Sequence, residues 1–188
     1  MDDQQQAALW AKEILEKDNW CILDTETTGL GNAQIVQVGI LSCTNSEGWQ
    51  TLVKPTIPIE EGAKNVHGIG YDQVASAPYF DEIFIDLLKI IQGRDLVIYN
   101  AEFDLSMIRQ SLRARGVHIA FPTSDRRKCR IFTNGGSIHD AMLYYSQWVG
   151  DWSEYHGNYK WQKLPYGDHS ALGDCKAVLK IIQEMAAS

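Results

Sequence analysis

The chain has 188 residues, 45% of them hydrophobic and 22% charged, and a formal net charge of −7. That size fits one domain with a real core. The net acidity excludes a protein that coats nucleic acid by bulk charge. No apolar run approaches the roughly 20 residues of a membrane span, which excludes a helical membrane protein.

Residues 3–17 place Ala7, Ala8, Leu9, Ile14 and Leu15 at helical spacing, so residues 1–18 read as an N-terminal helical extension packed on the sheet or a partner. Met1 to Gln6 is acidic and polar, unlike a secretion signal. The cysteines (Cys21, Cys43, Cys129, Cys175) form no Cys-x-x-Cys pair and read as reduced thiols of a cytoplasmic protein. Trp20-Cys21-Ile22-Leu23 is a buried-strand run ending at Asp24, followed by turn chemistry from Thr27 to Asn32. Ile35 to Leu41 is a second strand, and Trp49 to Val53, after the turn Asn45-Ser46-Glu47-Gly48, a third. Short connections imply an antiparallel meander.

Pro55 to Pro58 stops the sheet, and a loop carries Asn65-Val66-His67-Gly68-Ile69. The stripe Phe80, Ile83, Phe84, Leu87, Leu88, Ile91 predicts a helix over 79–92. Leu96 to Tyr99 is a fourth strand, a helix follows over 104–115 with Gly116 as its cap, and Val117 to Phe121 reads as the fifth strand. Ser124 to Ser137 is a basic loop, and helices are expected near 139–149 and 170–187. The order indicates one α/β domain over 1–188. Strands 1–3 form the meander, parallel strands extend it to a five-stranded mixed sheet, and helices flank it.

Three separated clusters carry the chemistry. Asp24 and Glu26 are two apart at a strand end, so their side chains share a face. Alone, such a pair is common. Asp104 sits near a helix start, where a carboxylate also serves as a cap. With Asn100 it lies just past a buried strand, at the sheet edge where ligands bind. His169 and Asp174 are five apart, about 500° on a continuous helix, so the histidine belongs in the approach loop and the acid one turn inside. Four converging carboxylates repel one another unless cations hold them. The reading is a divalent-metal site with a histidine beside it, suited to phosphodiester hydrolysis.

Asp24-x-Glu26-Thr-Thr-Gly, Asn100-Ala-x-Phe-Asp104 and His169-x-Ala-x-x-Asp174 resemble, in order and internal spacing, the three motifs of the DnaQ-like DEDDh family of 3′→5′ exonucleases. Val66-His67-Gly68-Ile69 is similar to the family's loop beside the terminal nucleotide, and Ala77-Pro78-x-Phe80 to the entry of its next helix. The resemblance spans roughly 19–187 and implies a ribonuclease-H-like fold. It also implies two Mg²⁺ or Mn²⁺ ions on Asp24, Glu26, Asp104 and Asp174, with His169 as general base. Histidine suits that role because imidazole titrates near neutrality. Thr27, Thr28 and Leu30 are then placed to receive the terminal sugar and base, His67 and Ile69 to flank the base, and Asn100 and Phe103 to line the site.

The implied substrate is a single-stranded or frayed 3′ end of DNA, released as nucleoside 5′-monophosphates. A 3′→5′ exoribonuclease of the same family is the alternative, since the motifs do not report on 2′-OH contacts. A silent nucleic-acid-binding module is the third reading. A homodimer and a DNA-processing or polymerase partner stay open. So does the stretch from Arg109 to Arg130, with Arg113, Arg115, Arg126, Arg127 and Lys128 against Asp125, either a solvated face or a phosphate contact. The aromatic insertion over 144–166 (Tyr144, Tyr145, Trp148, Trp152, Tyr155, Tyr159, Trp161, Tyr166) is either packing or a base-stacking platform.

Overall fold

The computed structural model describes residues 2–119 and 135–188. Five strands form one sheet: β1 (Trp20–Thr27), β2 (Ile35–Ser42), β3 (Asn45–Leu52), β4 (Asp95–Ile98) and β5 (Ile138–Asp140), in the order β3-β2-β1-β4-β5. β1 and β2, and β2 and β3, pair antiparallel; β4 pairs parallel with β1 and with β5. The expected meander and mixed sheet are therefore present.

The period of two in β1 sorts its side chains between two cores. Cys21 and Leu23 face a layer with Phe80, Phe84, Leu87 and Ile91 of α4 (Phe80–Ile91) and with Met107, Ile108 and Leu112 of α5 (Ala101–Ala114). Trp20 and Ile22 face the opposite layer with Trp10 and Ile14 of α1 (Asp3–Glu16) and Val178 and Ile182 of the C-terminal helix. Each fully buried aliphatic side chain of these layers contributes about 1.5–3 kcal/mol by transfer from water. α1 starts at a reciprocal cap: Asp2 Oδ1 accepts from Gln5 N–H (2.8 Å), and Gln5 Oε1 accepts from Asp2 N–H (3.1 Å). The remaining helices are α2 (Glu61–His67), α3 (Tyr71–Val74), α6 (Ala141–Val149) and α7 (Ala171–Ala186). β6 (Trp152–Ser153) and β7 (Asn158–Tyr159) make a small separate hairpin. Among the described residues no helix is long and apolar enough to cross a membrane.

Several expectations need correction. The fifth strand is not at Val117: residues 117–119 lie outside any strand, 120 and 121 lie outside the described residues, and β5 is Ile138–Asp140. The helix expected from 139 therefore begins at Ala141. β1 does not stop at Asp24 but runs on to Thr27. α5 begins three residues before Asp104, whose carboxylate is no cap; Asn100 holds the N-cap position. Asn65 to His67, read as loop, end a short helix over Glu61–His67, and a further short helix spans Tyr71–Val74. Most of the basic loop, residues 124–134, lies outside the described residues. Of the basic stretch before it, Arg115 is tied to Asp81 (3.0 Å).

The aromatic segment divides. Tyr144 stacks on Trp10 with centroids 4.0 Å apart, and Trp148 donates from Nε1 to Ser188 Oγ (3.0 Å), so these rings pack α1, α6 and α7 together. Tyr155 and Trp161 are instead 92% and 70% exposed.

Candidate active site

The same parity that builds the cores builds the site. Asp24 and Glu26 continue the side of β1 that carries Trp20 and Ile22, the side α7 covers. Opposite them on β2 stand Gly39 and Gln37, in register with Asp24 and Glu26 respectively. Gln37 Oε1 accepts from Ala171 N–H (2.9 Å), docking the first residue of α7. A Cβ at Gly39 would lie 2.5 Å from the Ala171 carbonyl carbon and from Leu172 N, so only glycine lets the helix start rest on the sheet here. Asp174, in the first turn of α7, thereby meets the β1 acids. Asp24, Glu26 and Asp174 each present an oxygen, all within 4.8 Å of one another.

The loop before α7 is built around Asp174. Its Oδ1 accepts from Asp168 N–H (2.9 Å) and His169 N–H (3.2 Å). A Cβ at Gly167 would come 2.7 Å from that same oxygen. Ser170 caps the helix, its Oγ accepting from Gly173 N–H (3.1 Å). His169 thus lies outside the helix and Asp174 within it, as the spacing requires. His169 is exposed and held at φ +61, a region non-glycine residues seldom occupy.

Asp104 comes from the other side of β1. The intervening Thr25 points toward α5, and its Oγ1 donates to Asp104 Oδ1 (2.7 Å). α5 itself is set by a residue that the sequence did not single out. Asp140, at the end of β5, accepts from Asn100 N–H (3.2 Å), Ala101 N–H (3.1 Å) and Met142 N–H (3.0 Å), capping α5 and α6 together. Asn100 adopts φ +62 at that junction, and Phe103 packs against the α4–α5 core.

The turn after β1 is closed internally. Thr27 Oγ1 donates to Gly29 O (2.7 Å), and Thr28 Oγ1 accepts from Gln34 N–H (3.0 Å); both threonines are buried. Leu30 stands out from this turn, 83% exposed. His67 latches α2 to it. Its Nδ1 accepts from Ile69 N–H (3.0 Å), which leaves Nε2 to donate to Thr27 O (3.1 Å). Ile69 is buried beside Val36 and Val74. Burial holds the His67 imidazole below its ordinary value, and the charge of His169 adds to that.

The carboxylates strain against one another. Burial raises Asp24 well above the usual range, and the charges of Asp104, Asp174 and Glu26 push it further. Burial, then Asp174 and Asp104, raise Glu26 to about 8. Burial raises Asp104 to about 7 against the opposing Thr25 hydrogen bond. Burial raises Asp174 too, opposed by its two backbone donors. A divalent cation between these oxygens would remove the repulsion, and all-oxygen ligands suit Mg²⁺ or Mn²⁺. The residues present therefore fit such an ion.

The Exonuclease family model of RNase T type matches residues 21–182. The chain belongs to this exonuclease family. An uncharacterized exonuclease, CP81, of Escherichia phage 186 is 32% identical over 191 residues, covering 94% of this chain and 92% of the phage protein. The DNA polymerase III subunit epsilon of Buchnera aphidicola subsp. Schizaphis graminum is 34% identical over 100 residues, 47% of this chain and 43% of that subunit, so the match spans less than half of it. Among solved structures, exonuclease X in complex with 5′ overhanging duplex DNA superposes with a TM-score of 0.53 at 25% identity, covering 90% of this chain and 92% of the other. The nuclease domain of 3′hExo, a DEDDh family member bound to rAMP, shares the fold at 18% identity with a TM-score of 0.57, covering 92% and 93%. This exonuclease is thus a DnaQ-like nuclease on the ribonuclease-H-like fold, and the resemblance carried by its three motifs holds.

One consequence of the exonuclease's acid cluster is a pH-dependent stability. Glu26 ordinarily titrates at 4.5 and here at about 8, and Asp104 at 3.8 and here at about 7. Between those values the folded protein keeps protons that the unfolded chain has lost, so stability falls as pH rises through the window. His67 and His139, both lowered, act in the opposite sense below 6.5. The clean comparison therefore lies between about pH 7 and about pH 8.5. In EDTA the Tm is expected to fall over that interval, and Mg²⁺ to raise it more at the upper end. A Tm in EDTA that climbs there would refute the account.

Proposed function

We propose that this exonuclease removes nucleotides from the 3′ ends of single-stranded or frayed DNA, with Asp24, Glu26, Asp104 and Asp174 as metal ligands and His169 as general base. The observation that carries this reading is the convergence of the Asp24, Glu26 and Asp174 oxygens within 4.8 Å.

Two Mg²⁺ or Mn²⁺ ions held there would supply Lewis acidity toward the scissile phosphate. The chain's own groups do the rest. Hydrogen bonding occupies Oδ1 of Asp174, which orients that carboxylate and leaves its second oxygen for the metal site, while Thr25 orients Asp104, which stands outside the 4.8 Å group. His169, on the exposed approach, takes a proton from the attacking water. Water oxygen bonds to phosphorus, the bond to the 3′ oxygen breaks, and that oxygen takes a proton from solvent to leave as the hydroxyl of the shortened strand, while His169 returns its proton to solvent. The released product is a nucleoside 5′-monophosphate. Leu30 and His67 border the terminal base, with Thr27, Thr28 and Ile69 holding the turn and α2 in place behind them. Asn100 and Phe103 border it from α5.

The test uses 5′-labelled DNA and RNA oligonucleotides of one sequence with Mg²⁺, Mn²⁺ or EDTA. A ladder shortening from the 3′ end, absent in EDTA and faster on DNA, is expected. Shortening from the 5′ end would overturn the polarity, and faster cleavage of RNA would overturn the substrate.

A further inference from the structure

A groove of about 690 Å³ lies on the far side of the loop that backs the Thr27–Leu30 turn. Its floor is Lys54 to Ile59, and its walls carry Lys64 of α2, Tyr71 of α3 and Tyr79 before α4. Among the described residues Lys54 and Lys64 make no ion pair. Glu61 is the one acid in the lining, and it is solvent-exposed. Tyr71 is 59% exposed, whereas Tyr79 is half-buried under two cations, Lys54 Nζ at 5.5 Å and Arg115 Cζ at 4.0 Å. In a chain of net charge −7 this is a local inversion of sign.

The loop that floors the groove is tethered to the site's turn. Glu60 N–H donates to Thr28 O (2.9 Å), and Thr56 N–H donates to Gln34 Oε1 (2.7 Å), so its floor hangs from the turn that follows the β1 acids. Lys64 sits one helical turn before His67 on α2. Lys54 and Lys64, without acid partners among the described residues and set beside the exposed Tyr71 ring, match a polymer of phosphates and bases. The volume suits a nucleotide unit.

We infer that this groove binds a stretch of nucleic-acid strand away from the scissile bond, its phosphate between Lys54 and Lys64 and its base against Tyr71. The inference rests on the nuclease reading for its choice of occupant. The strand is either the incoming one or the complementary strand of a duplex end; the phosphate-and-base chemistry is shared, and the substrate arms below tell them apart.

The test measures anisotropy of a labelled single strand and of a 5′-overhanging duplex in EDTA across a salt series, for the wild type, Lys54→Glu/Lys64→Glu and the milder Lys54→Gln/Lys64→Gln. A fall in affinity of about tenfold or more is expected for the glutamate pair. The slope of log affinity against log salt should shrink by about 0.7 for a single strand or about 0.9 for duplex, the value for one lost phosphate contact. A change on both substrates places the incoming strand there, and a change on duplex alone places the complement. Unchanged affinity and slope in both variants overturn the proposal. Hydrolysis of the p-nitrophenyl ester of thymidine 5′-monophosphate, too short to span both sites, should be unaffected by either variant. Wild-type protein inert toward that ester and toward every oligonucleotide would sink the nuclease reading, while the anisotropy still decides whether the groove binds a strand.

Discussion

Asp174→Asn is expected to reduce hydrolysis by about 10³-fold or more, the scale of losing a group on which the catalytic centre depends, with the fold intact. Asparagine is the informative replacement because of how Asp174 is held. Its Oδ1 accepts the backbone N–H groups of Asp168 and His169, and Gly167 leaves room for it. An asparagine carbonyl keeps both hydrogen bonds, so the approach to α7 stays in place. Only the second oxygen is replaced, by an amide that donates where a ligand must accept. Alanine would remove the loop's anchor as well and blur the result. Because Asp174 raises Asp24 and Glu26 by repulsion, the metal-free variant should melt at or above the wild-type Tm near pH 8. The rise in Tm that Mg²⁺ gives the wild type should vanish. Saturation at about 100 times Kd corresponds to about 2.7 kcal/mol, well within calorimetric reach. Normal turnover in Mg²⁺ by the purified variant would end the ligand assignment.

How much of this was legible beforehand depends on the range of the interaction. Asp24 and Glu26 declare themselves because a strand's period of two is local, and that same period sends Thr25 to Asp104. His169 and Asp174 are legible because an offset of five residues forbids a shared helical face. The devices that bring the clusters together are not legible. Gly39 and Gln37 matter only because α7, more than a hundred residues later, lands on them. A glycine inside a strand announces a close approach without naming the partner. Asp140 caps the helix that follows it by a local hydrogen bond, but its hold on α5 is tertiary.

The misplaced fifth strand has a similar cause. Ile138-His139-Asp140 is three residues long with one apolar side chain, too short for periodicity to register. Its strand character comes from pairing with Leu96, Val97 and Ile98. Val117 to Phe121 offered a more apolar run, but among the described residues no strand pairs with 117–119. The aromatic segment divided because ring count alone says nothing about partners. Tyr144 has Trp10 to stack on, whereas Trp161 has its face open to solvent. Composition gives the supply of rings, and only the docking of α1 onto α6 decides which are used inside.

His169→Asn is expected to lower kcat by about 10²-fold or more, the usual worth of a positioned acid–base group. The reasoning separates this residue's backbone from its ring. The backbone N–H holds Asp174 and survives any substitution except proline. The backbone also sits at φ +61, which asparagine tolerates better than alanine, so His169→Asn removes the imidazole with little added strain. The ring is exposed, and its charge is felt at Asp174, Asp168 and His67. Its charge thus reaches both the acid cluster and the α2 latch. If the imidazole takes the attacking water's proton, the variant loses kcat and the acidic limb of the pH–rate profile while keeping KM, Tm and the full Mg²⁺-induced rise in Tm. Added free imidazole should restore part of the rate. If His169 serves only to position Asp174, the Mg²⁺-induced rise shrinks along with kcat and imidazole restores nothing. An unchanged rate in both His169→Asn and His169→Ala would remove the residue from the mechanism and leave proton transfer to bulk water.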